Sequence, residues 1–130
     1  MLIVNIIIHR RYDSLEECAV AIDDVIEKKL DAILEMESQF IEGGALGHLD
    51  PRVLSNTPAE REAIRAEKRE RFKRLYAAVA DQSRQKLVEL YGQEIGNKVK
   101  YAEAFEICEY GRQPTNEEIH RLFPFFPKNN

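Results

Sequence analysis

The chain begins with a short run of apolar, mostly β-branched residues. Between Leu2 and Ile8 only Asn5 is polar. A run of this kind predicts a buried β-strand, and it is far shorter than the roughly 20 apolar residues that span a bilayer. Because no basic stretch precedes the run and no small-residue cleavage site follows it, a signal peptide is not predicted.

Apolar residues then recur at helical spacing, and the pattern has two interpretations. The recurring residues are Leu15, Cys18, Ile22, Val25 or Ile26, Leu30, Ile33 and Ile41. In the first interpretation a single helix runs from about Ser14 to Ile41, and Ser14 forms a capping box with Glu17.

The second interpretation divides the same stretch into two elements. Residues Cys18 to Ile22 are extended, and Asp23 caps a helix from Asp24 to Phe40. Periodicity alone does not decide between the two interpretations. The pair Gly43-Gly44 ends the helix in either case.

Another helix is predicted from Pro58 to Tyr91. Thr57 is the N-cap, Pro58 takes the first helical position and Glu60 completes a capping box. The second half of this helix carries a regular apolar stripe that ends before Gly92. The stripe consists of Phe72, Leu75, Tyr76, Val79, Ala80, Ser83, Leu87, Leu90 and Tyr91.

The first half of this helix, residues 60–74, is called the charged arm below. Its only large apolar residues are Ile64 and Phe72. Pairs such as Glu67 with Arg71 have the spacing and order that stabilise an exposed helix. We therefore expect the charged arm to be solvated or to contact another chain. Nucleic-acid binding is not predicted, because no aromatic residues accompany the basic ones as a stacking platform.

The last third of the chain predicts a strand, a short helix and an apolar tail. From Glu103 the segment 98–110 alternates in polarity, which is typical of a half-buried strand. Thr115 caps a helix that ends at Leu122, and the tail Phe123–Pro127 must pack against something apolar. The predicted fold is α+β and dominated by helices, with residues 1–130 in a single domain.

Composition bounds the class of protein. The chain has 130 residues, of which 44% are hydrophobic and 32% charged, as in a globular domain. Its net charge of -4 provides no general attraction to nucleic acid or to an anionic membrane. The two cysteines, Cys18 and Cys108, lack CxxC spacing, and we interpret them as reduced core residues of a cytoplasmic protein.

No catalytic, cofactor-binding or metal-binding residues are predicted within this chain. The histidines His9, His48 and His120 have no second histidine at metal-ligand spacing, and the single Glu117-x-x-His120 pair is a weak signal. The adjacent carboxylates Asp23 and Asp24 are explained as a helix cap and a first-turn residue. The sequence contains neither a GxSxG motif nor a phosphate-binding glycine loop.

Two segments resemble the region that follows the catalytic core of LmbE-like (PIG-L) N-deacetylases. The first runs from Ile22 to Ala32 and continues into Glu37-Ser38-Gln39-Phe40, and the second is Tyr101-Ala102-Glu103-Ala104-Phe105-Glu106-Ile107. In that family an extended Asp-rich stretch leads into a helix with a Lys-x-x-Ala step and a Ser-Gln, and a Tyr-Ala-Glu-x-Phe strand closes the fold. The chain departs from this pattern at Ala21, where Asp is common, and at Met36, where His or Tyr is usual.

The resemblance implies a parent protein that is a zinc-dependent hydrolase. Such an enzyme removes an acyl group from an amino sugar or a similar amide, with zinc-activated water as nucleophile and an Asp as general base. The family's metal motifs, Pro-His-Pro-Asp-Asp and a later His-x-x-His, do not occur in this sequence. The chain is then expected to be a non-catalytic C-terminal part of a larger α/β domain, and its partner is a missing catalytic segment or a second copy.

A different class of protein also fits the pattern. A small helical interaction protein would associate through its long helices and the apolar tail, without enzymatic activity. In that interpretation the contact involves Ile3, Ile6 or Ile8 of the first strand and Phe123, Phe125 or Phe126 of the tail. The sequence of the DNA upstream of the Met1 codon separates the two classes.

We predict that the isolated chain binds no zinc tightly, because its histidines are scattered and its two cysteines are unpaired by spacing. Metal analysis after dialysis is expected to show far less than one equivalent per chain. One full equivalent would contradict the prediction.

Overall fold

The computed structural model describes residues 18–42, 57–105, 112 and 114–127. It is helix-dominated with one small sheet, which confirms the predicted α+β class. The strands are β1 (Cys18–Ala21) and β2 (Ala102–Phe105), and the helices are α1 (Ile26–Glu35), α2 (Glu37–Phe40), α3 (Pro58–Gln82), α4 (Arg84–Tyr91), α5 (Gln93–Gly96) and α6 (Asn116–Leu122). The predicted strand Leu2–Ile8 lies outside the described residues.

The chain divides into two compact units. Unit 1 comprises residues 1–22 and 77–130, and unit 2 comprises Asp23–Tyr76. The sheet and helices α4, α5 and α6 belong to unit 1, whereas α1, α2 and the first nineteen residues of α3, Pro58–Tyr76, belong to unit 2. That residues 1–130 fold as one domain stays a prediction.

Strands β1 and β2 pair in an antiparallel sheet. In their register Ala21 lies opposite Ala102 and Val20 opposite Glu103. The N–H of Ile22 donates to the carbonyl oxygen of Tyr101 at 2.9 Å, which extends the ladder by one residue. The extended interpretation of residues 18–22 is therefore confirmed, and the single helix from Ser14 to Ile41 is wrong. The apolar residues from Cys18 to Ile22 also suit a strand, and this strand is buried against α4.

The start of α1 differs from the sequence prediction. Helix α1 begins at Ile26, and its N-cap position is held by Val25, which makes no side-chain capping hydrogen bond. Asp23 and Asp24 precede it in a turn, so Asp23 is not the helix cap and Asp24 is not in the first turn. The ladder hydrogen bond at Ile22 keeps the chain extended up to that residue, and a turn must intervene before the helix can begin.

The predicted helix from Asp24 to Phe40 is also divided at its other end. Met36 interrupts it with φ −85° and ψ 64°, which lie outside the helical region. Helix α1 ends at Glu35, and the single turn of α2 follows. Four apolar side chains of α1 are buried, and they are Ile26, Leu30, Ile33 and Leu34.

Capping boxes are present at the two predicted helix starts that lie within the described residues. Thr57 and Glu60 exchange hydrogen bonds at the start of α3, with N···O distances of 3.4 Å in each direction. At the start of α6, the N–H of Thr115 donates to the Glu118 carboxylate at 2.9 Å, and the N–H of Glu118 donates to the Thr115 hydroxyl. These signals are local in sequence, so they determine helix starts without tertiary information.

The sheet and α4 form the core of unit 1. One cluster of buried residues joins the sheet to α3 and α4, and it consists of Ala19, Ala80, Leu87, Val99 and Ala102. A second cluster involves the alternate residues of β1, which face the other side of the sheet, and it consists of Cys18, Leu90, Ile119 and Phe126. Tyr91 packs against both clusters, and its hydroxyl accepts a hydrogen bond from the N–H of Ala21 at 3.1 Å.

The apolar tail packs within unit 1, as its composition requires. Phe126 is only 4% exposed, and its ring meets that of Tyr91 edge-on with centroids 5.1 Å apart. Phe125, by contrast, is 58% exposed. Of the tail residues proposed for contact with another chain, Phe126 is therefore already buried within its own unit.

The long helix predicted from Pro58 to Tyr91 is interrupted at Ser83. Helix α3 ends at Gln82 and α4 begins at Arg84, although the N–H of Ser83 still donates to the carbonyl oxygen of Val79. The Arg84 guanidinium donates to the carbonyl oxygens of Gly96 and Val99, at 2.7 and 2.9 Å. Arg84 thereby holds the chain that follows α5 next to the point of interruption.

The two glycines that flank α5 are constrained in different ways. Gly92 has a φ of +80°, which most side chains adopt only at a cost, but no described atom lies within 4 Å of a Cβ placed there. A Cβ on Gly96 would lie 2.6 Å from backbone atoms of Leu87 and Val88. Gly96 is therefore required by the close approach of α5 to α4.

These constraints predict different costs for the two alanine substitutions. Gly96→Ala should lower the free energy of unfolding by about 3 kcal/mol, because backbone atoms must move to admit the methyl group. Gly92→Ala should cost only about 1–2 kcal/mol, the strain of a backbone conformation (φ 80°, ψ 162°) that is essentially restricted to glycine. Urea denaturation of both variants measures the difference, and equal costs would contradict the packing of α5 on α4.

Candidate functional site

The described residues do not bring the candidate groups of the sequence together. Of the three histidines, only His120 lies among the described residues, and Cys108 lies outside them. His120 donates through Nδ1 to the carbonyl oxygen of Asn116 at 2.8 Å, and its ring meets that of Phe126. The described part of the chain contains no group of three or more His, Cys, Asp or Glu residues that could hold a metal ion.

Cys18 has the environment of a core residue. Its side chain is buried against Leu90 and Ile119, and it forms no disulfide with a described residue. Burial raises the pKa of the Cys18 thiol to about 11, which keeps it protonated and unreactive at neutral pH. The prediction that Cys18 is a core residue is confirmed.

Two buried polar atoms have no hydrogen-bond partner within the residues that the structure describes. They are the Ser83 hydroxyl oxygen and His120 Nε2. Ser83 lies at the interruption between α3 and α4, whereas His120 lies in α6. Neither is accompanied by a nucleophile, a base or an oxyanion donor, so neither forms a catalytic arrangement with the described residues.

The two segments that carry the family resemblance meet in the sheet of unit 1. Ile22 begins the first segment and Tyr101 begins the second, and their backbones are joined by the 2.9 Å hydrogen bond of the ladder. The register continues through the Ala21–Ala102 and Val20–Glu103 pairs. Segments about eighty residues apart in sequence are thus neighbours in the fold.

The charged arm forms an ion-pair ladder with α1 and α2 inside unit 2. The first half of the ladder joins Lys73 and Arg69 to Glu27, and Arg69 also pairs with Asp31. The hydrogen bond from Lys73 lowers the pKa of the Glu27 carboxyl below its ordinary value. The Glu27 carboxylate is thereby shared between two cations of α3.

The second half of the ladder joins Arg65 and Arg61 to acidic residues near the end of α1. Arg65 pairs with Glu35 at 3.1 Å and with Glu37 at 2.9 Å, and it also donates to the carbonyl oxygen of Leu34. Arg61 pairs with Glu37 at 3.4 Å. The order of the partners shows that α3 runs antiparallel to α1.

Beneath the ladder, apolar residues of the charged arm are buried. Ile64 is 3% exposed and packs with Leu34 and Ile41. Phe72 is 6% exposed and meets the ring of Phe40 edge-on with centroids 5.4 Å apart. The expectation of a fully solvated arm is therefore wrong for this face, although the opposite face of α3 is exposed at positions such as 66, 70 and 74.

The ladder can be recognised in the sequence from the spacing of its charged residues, which the periodicity of hydrophobic residues does not show. Carboxylates at 27, 31 and 35 and cations at 61, 65, 69 and 73 each recur every fourth residue, so each set lies along one face of a helix. Two complementary stripes of this kind predict that the two helices pair, and the ion pairs of the structure give the antiparallel direction. Ion pairs within a single helix, such as Glu67 with Arg71, do not indicate this pairing of two helices.

Comparison with known proteins finds no match for this chain among protein-family models, curated proteins or solved structures. No helix within the described ranges is long and apolar enough to cross a membrane.

The ladder also bears on nucleic-acid binding. Because Arg61, Arg65, Arg69 and Lys73 are paired with carboxylates of the same chain, we expect no tight binding to single-stranded DNA or RNA. Fluorescence anisotropy with a generic labelled oligonucleotide at 50 and 200 mM salt tests this expectation. Binding that weakens steeply with salt, and that is lost when Arg65, Arg69 and Lys73 are neutralised, would contradict it.

Proposed function

We propose that this chain is the non-catalytic C-terminal part of a PIG-L/LmbE-type metal-dependent N-deacetylase. The observation that carries the proposal is the hydrogen bond that joins the first residues of the two resembling segments, from the N–H of Ile22 to the carbonyl oxygen of Tyr101. Short motifs recur by chance, so neither segment indicates the family by itself. Two motifs that begin at hydrogen-bonded residues support a shared structural origin more strongly than either does separately.

In this proposal the catalytic chemistry belongs to a separate segment. The sequence lacks both metal motifs of the family, so a catalytic segment would supply the zinc ligands and the general base. This chain would contribute the supporting sheet β1–β2 and the helices packed on it. The substrate class would be an N-acylated amino sugar or a similar amide, and we place the protein in the cytoplasm because its thiol Cys18 is free and buried.

The DNA upstream of the Met1 codon provides the first test. The proposal predicts a reading frame that encodes Pro-His-Pro-Asp-Asp followed by His-x-x-His. Its absence would contradict the proposal, because no catalytic segment would then exist for this chain to complete.

A reconstitution assay provides the second test. The upstream segment and this chain are expressed separately, and acetate release from N-acetylglucosamine is measured with zinc present. We expect release from the mixture and at most a trace from either part alone. Full activity of the upstream segment without this chain would show that the chain has no part in the enzyme.

A second candidate function is that of a helical interaction protein that associates with itself. The observation that favours it is the exposure of large apolar side chains near the C-terminus of unit 1, where Leu122 is 48% and Phe125 58% exposed. Phe125 lies in a ring stack with Phe123 and Phe126, so its ring is held in place while much of it remains accessible to solvent. Aromatic side chains of this kind are frequent anchors of protein interfaces.

This candidate predicts a dimer or larger assembly that depends on Phe125. Sedimentation at tens of micromolar should show association that is weakened by Phe125→Ala. The matched control is Phe126→Leu, which changes a buried ring of the same stack and should leave association unchanged. A clean monomer of the unmodified chain would contradict self-association.

A further inference from the structure

The two charged stripes of unit 2 are each unfavourable on their own. Arg61, Arg65, Arg69 and Lys73 follow one another at four-residue spacing along α3, and Glu27 and Asp31 do the same on α1. Like charges at this spacing destabilise an isolated helix by a few tenths of a kilocalorie per pair. Each stripe gains oppositely charged partners from the other helix when α1 and α3 lie side by side.

The ladder consists of two networks, and each network shares its charges. In one, Glu27 bridges Lys73 and Arg69, and Arg69 continues to Asp31. In the other, Arg65 bridges Glu35 and Glu37, and Glu37 continues to Arg61. Shared charges make the pairs in each network interdependent, so losing one pair weakens its neighbours.

The ladder is accessible to dissolved ions. The carboxylate side chains are between 44% and 79% exposed, whereas the cations of the central pairs, Arg65, Arg69 and Lys73, are only 25–29% exposed. Screening of exposed charges becomes strong once the Debye length, about 10 Å at 0.1 M salt, falls toward 3 Å at 1 M. Salt therefore weakens the ladder from its carboxylate side.

Apolar contacts beneath the ladder also join the charged arm to α1 and α2. Ile64 packs with Leu34 and Ile41, and Phe72 meets Phe40. Lys68 lies between Ile64 and Phe72 on this face and is 7% exposed. Salt screens charges and not apolar contacts, so a rise in salt acts on the ladder.

We propose that unit 2 is an ionic clasp, in which the α1–α3 ladder holds the helices together at low salt and in which their opening becomes more frequent as salt rises. Opening separates the charged arm, residues 60–74, from α1 and α2. It leaves unit 1 folded, because the sheet β1–β2 and its core clusters contain no member of the ladder. Because the two stripes carry opposite charges, a rise in salt weakens the attraction between α1 and the charged arm.

Amide hydrogen exchange of the full chain at 0.02 and 0.5 M NaCl tests the clasp. Amides of α1 and of residues 60–74 should exchange about tenfold faster at high salt, because salt screens the interdependent pairs of the ladder. Amides of β1 and β2 are the internal reference, and their exchange should change less than twofold. Equal acceleration in both units, or no acceleration in either, would overturn the proposal.

Charge-reversed variants test the sign of the effect. In Glu27→Lys with Asp31→Lys, cations face Arg69 and Lys73, so α1 and the charged arm should exchange fast at low salt and more slowly as salt screens the repulsion. Adding Arg69→Glu and Lys73→Glu exchanges the stripes and should restore slow exchange with the original salt dependence. A reversed double variant that keeps the original salt dependence would overturn the proposal.

A milder pair of variants covers the case in which reversal unfolds the whole chain. Glu27→Gln with Asp31→Asn removes the charge of one network without introducing repulsion, and it should flatten the salt dependence of α1. Glu94→Gln is the matched control, because Glu94 pairs with Lys98 outside the ladder at 2.9 Å. A neutralised variant that retains the full salt dependence would show that the ladder is not what salt releases.

Discussion

The antiparallel pairing of β1 with β2 is the constraint on which unit 1 depends. It joins residues 18–22 to residues 101–105 and thereby closes a loop of about eighty residues. Closing a flexible loop of that length costs several kilocalories per mole of chain entropy. A sheet of two four-residue strands does not offset this entropy cost by itself. The additional stabilisation comes from α4, whose Leu87 and Leu90 pack with buried residues of the sheet and whose Tyr91 hydroxyl accepts a hydrogen bond from the N–H of Ala21.

This pairing also explains where unit 2 begins. Because the Ile22 N–H is hydrogen-bonded to Tyr101 of the other strand, the chain leaves the sheet at Asp23 and needs a turn before α1 can start. Within unit 2 a different force is prominent, because complementary charge stripes align α3 with α1. The two units are therefore stabilised by different interactions. Unit 1 is held by backbone pairing and apolar packing, and unit 2 by an ionic ladder over an apolar layer.

What could be predicted from sequence depended on how far apart the interacting residues are. The capping boxes at Thr57 and Thr115 are complete within four residues, and both were predictable. The ambiguity at Cys18–Ile22 arose because residues at three- and four-residue spacing fit a helix as well as a strand, and only β2, eighty residues away, decides between them. Asp23 is expected to cap a helix because its residue type suits that position. However, the hydrogen bond between the neighbouring Ile22 and Tyr101 in the sheet determines where the helix can begin.

The arm and the interruption at Ser83 were not predicted for a related reason. The charged arm has few apolar residues, so a pattern of hydrophobic positions gives it no buried face, and its partners lie on another helix. Ser83 has no glycine or proline beside it to mark a break in α3. Because the sequence candidates include no catalytic group, the family resemblance is the indication of function in the sequence, and it stays a prediction.

The most direct test of this account is the register of β1 against β2. In an antiparallel ladder in which Ile22 and Tyr101 are hydrogen-bonded, the pairs Ala21–Ala102 and Ala19–Ala104 are the non-hydrogen-bonded ones, whose Cα atoms lie closest. Nuclear Overhauser spectroscopy of the labelled chain should therefore show strong Hα–Hα contacts within both pairs. Sequential helical contacts through residues 18–22, or contacts shifted by one residue along β2, would contradict the pairing that unit 1 depends on.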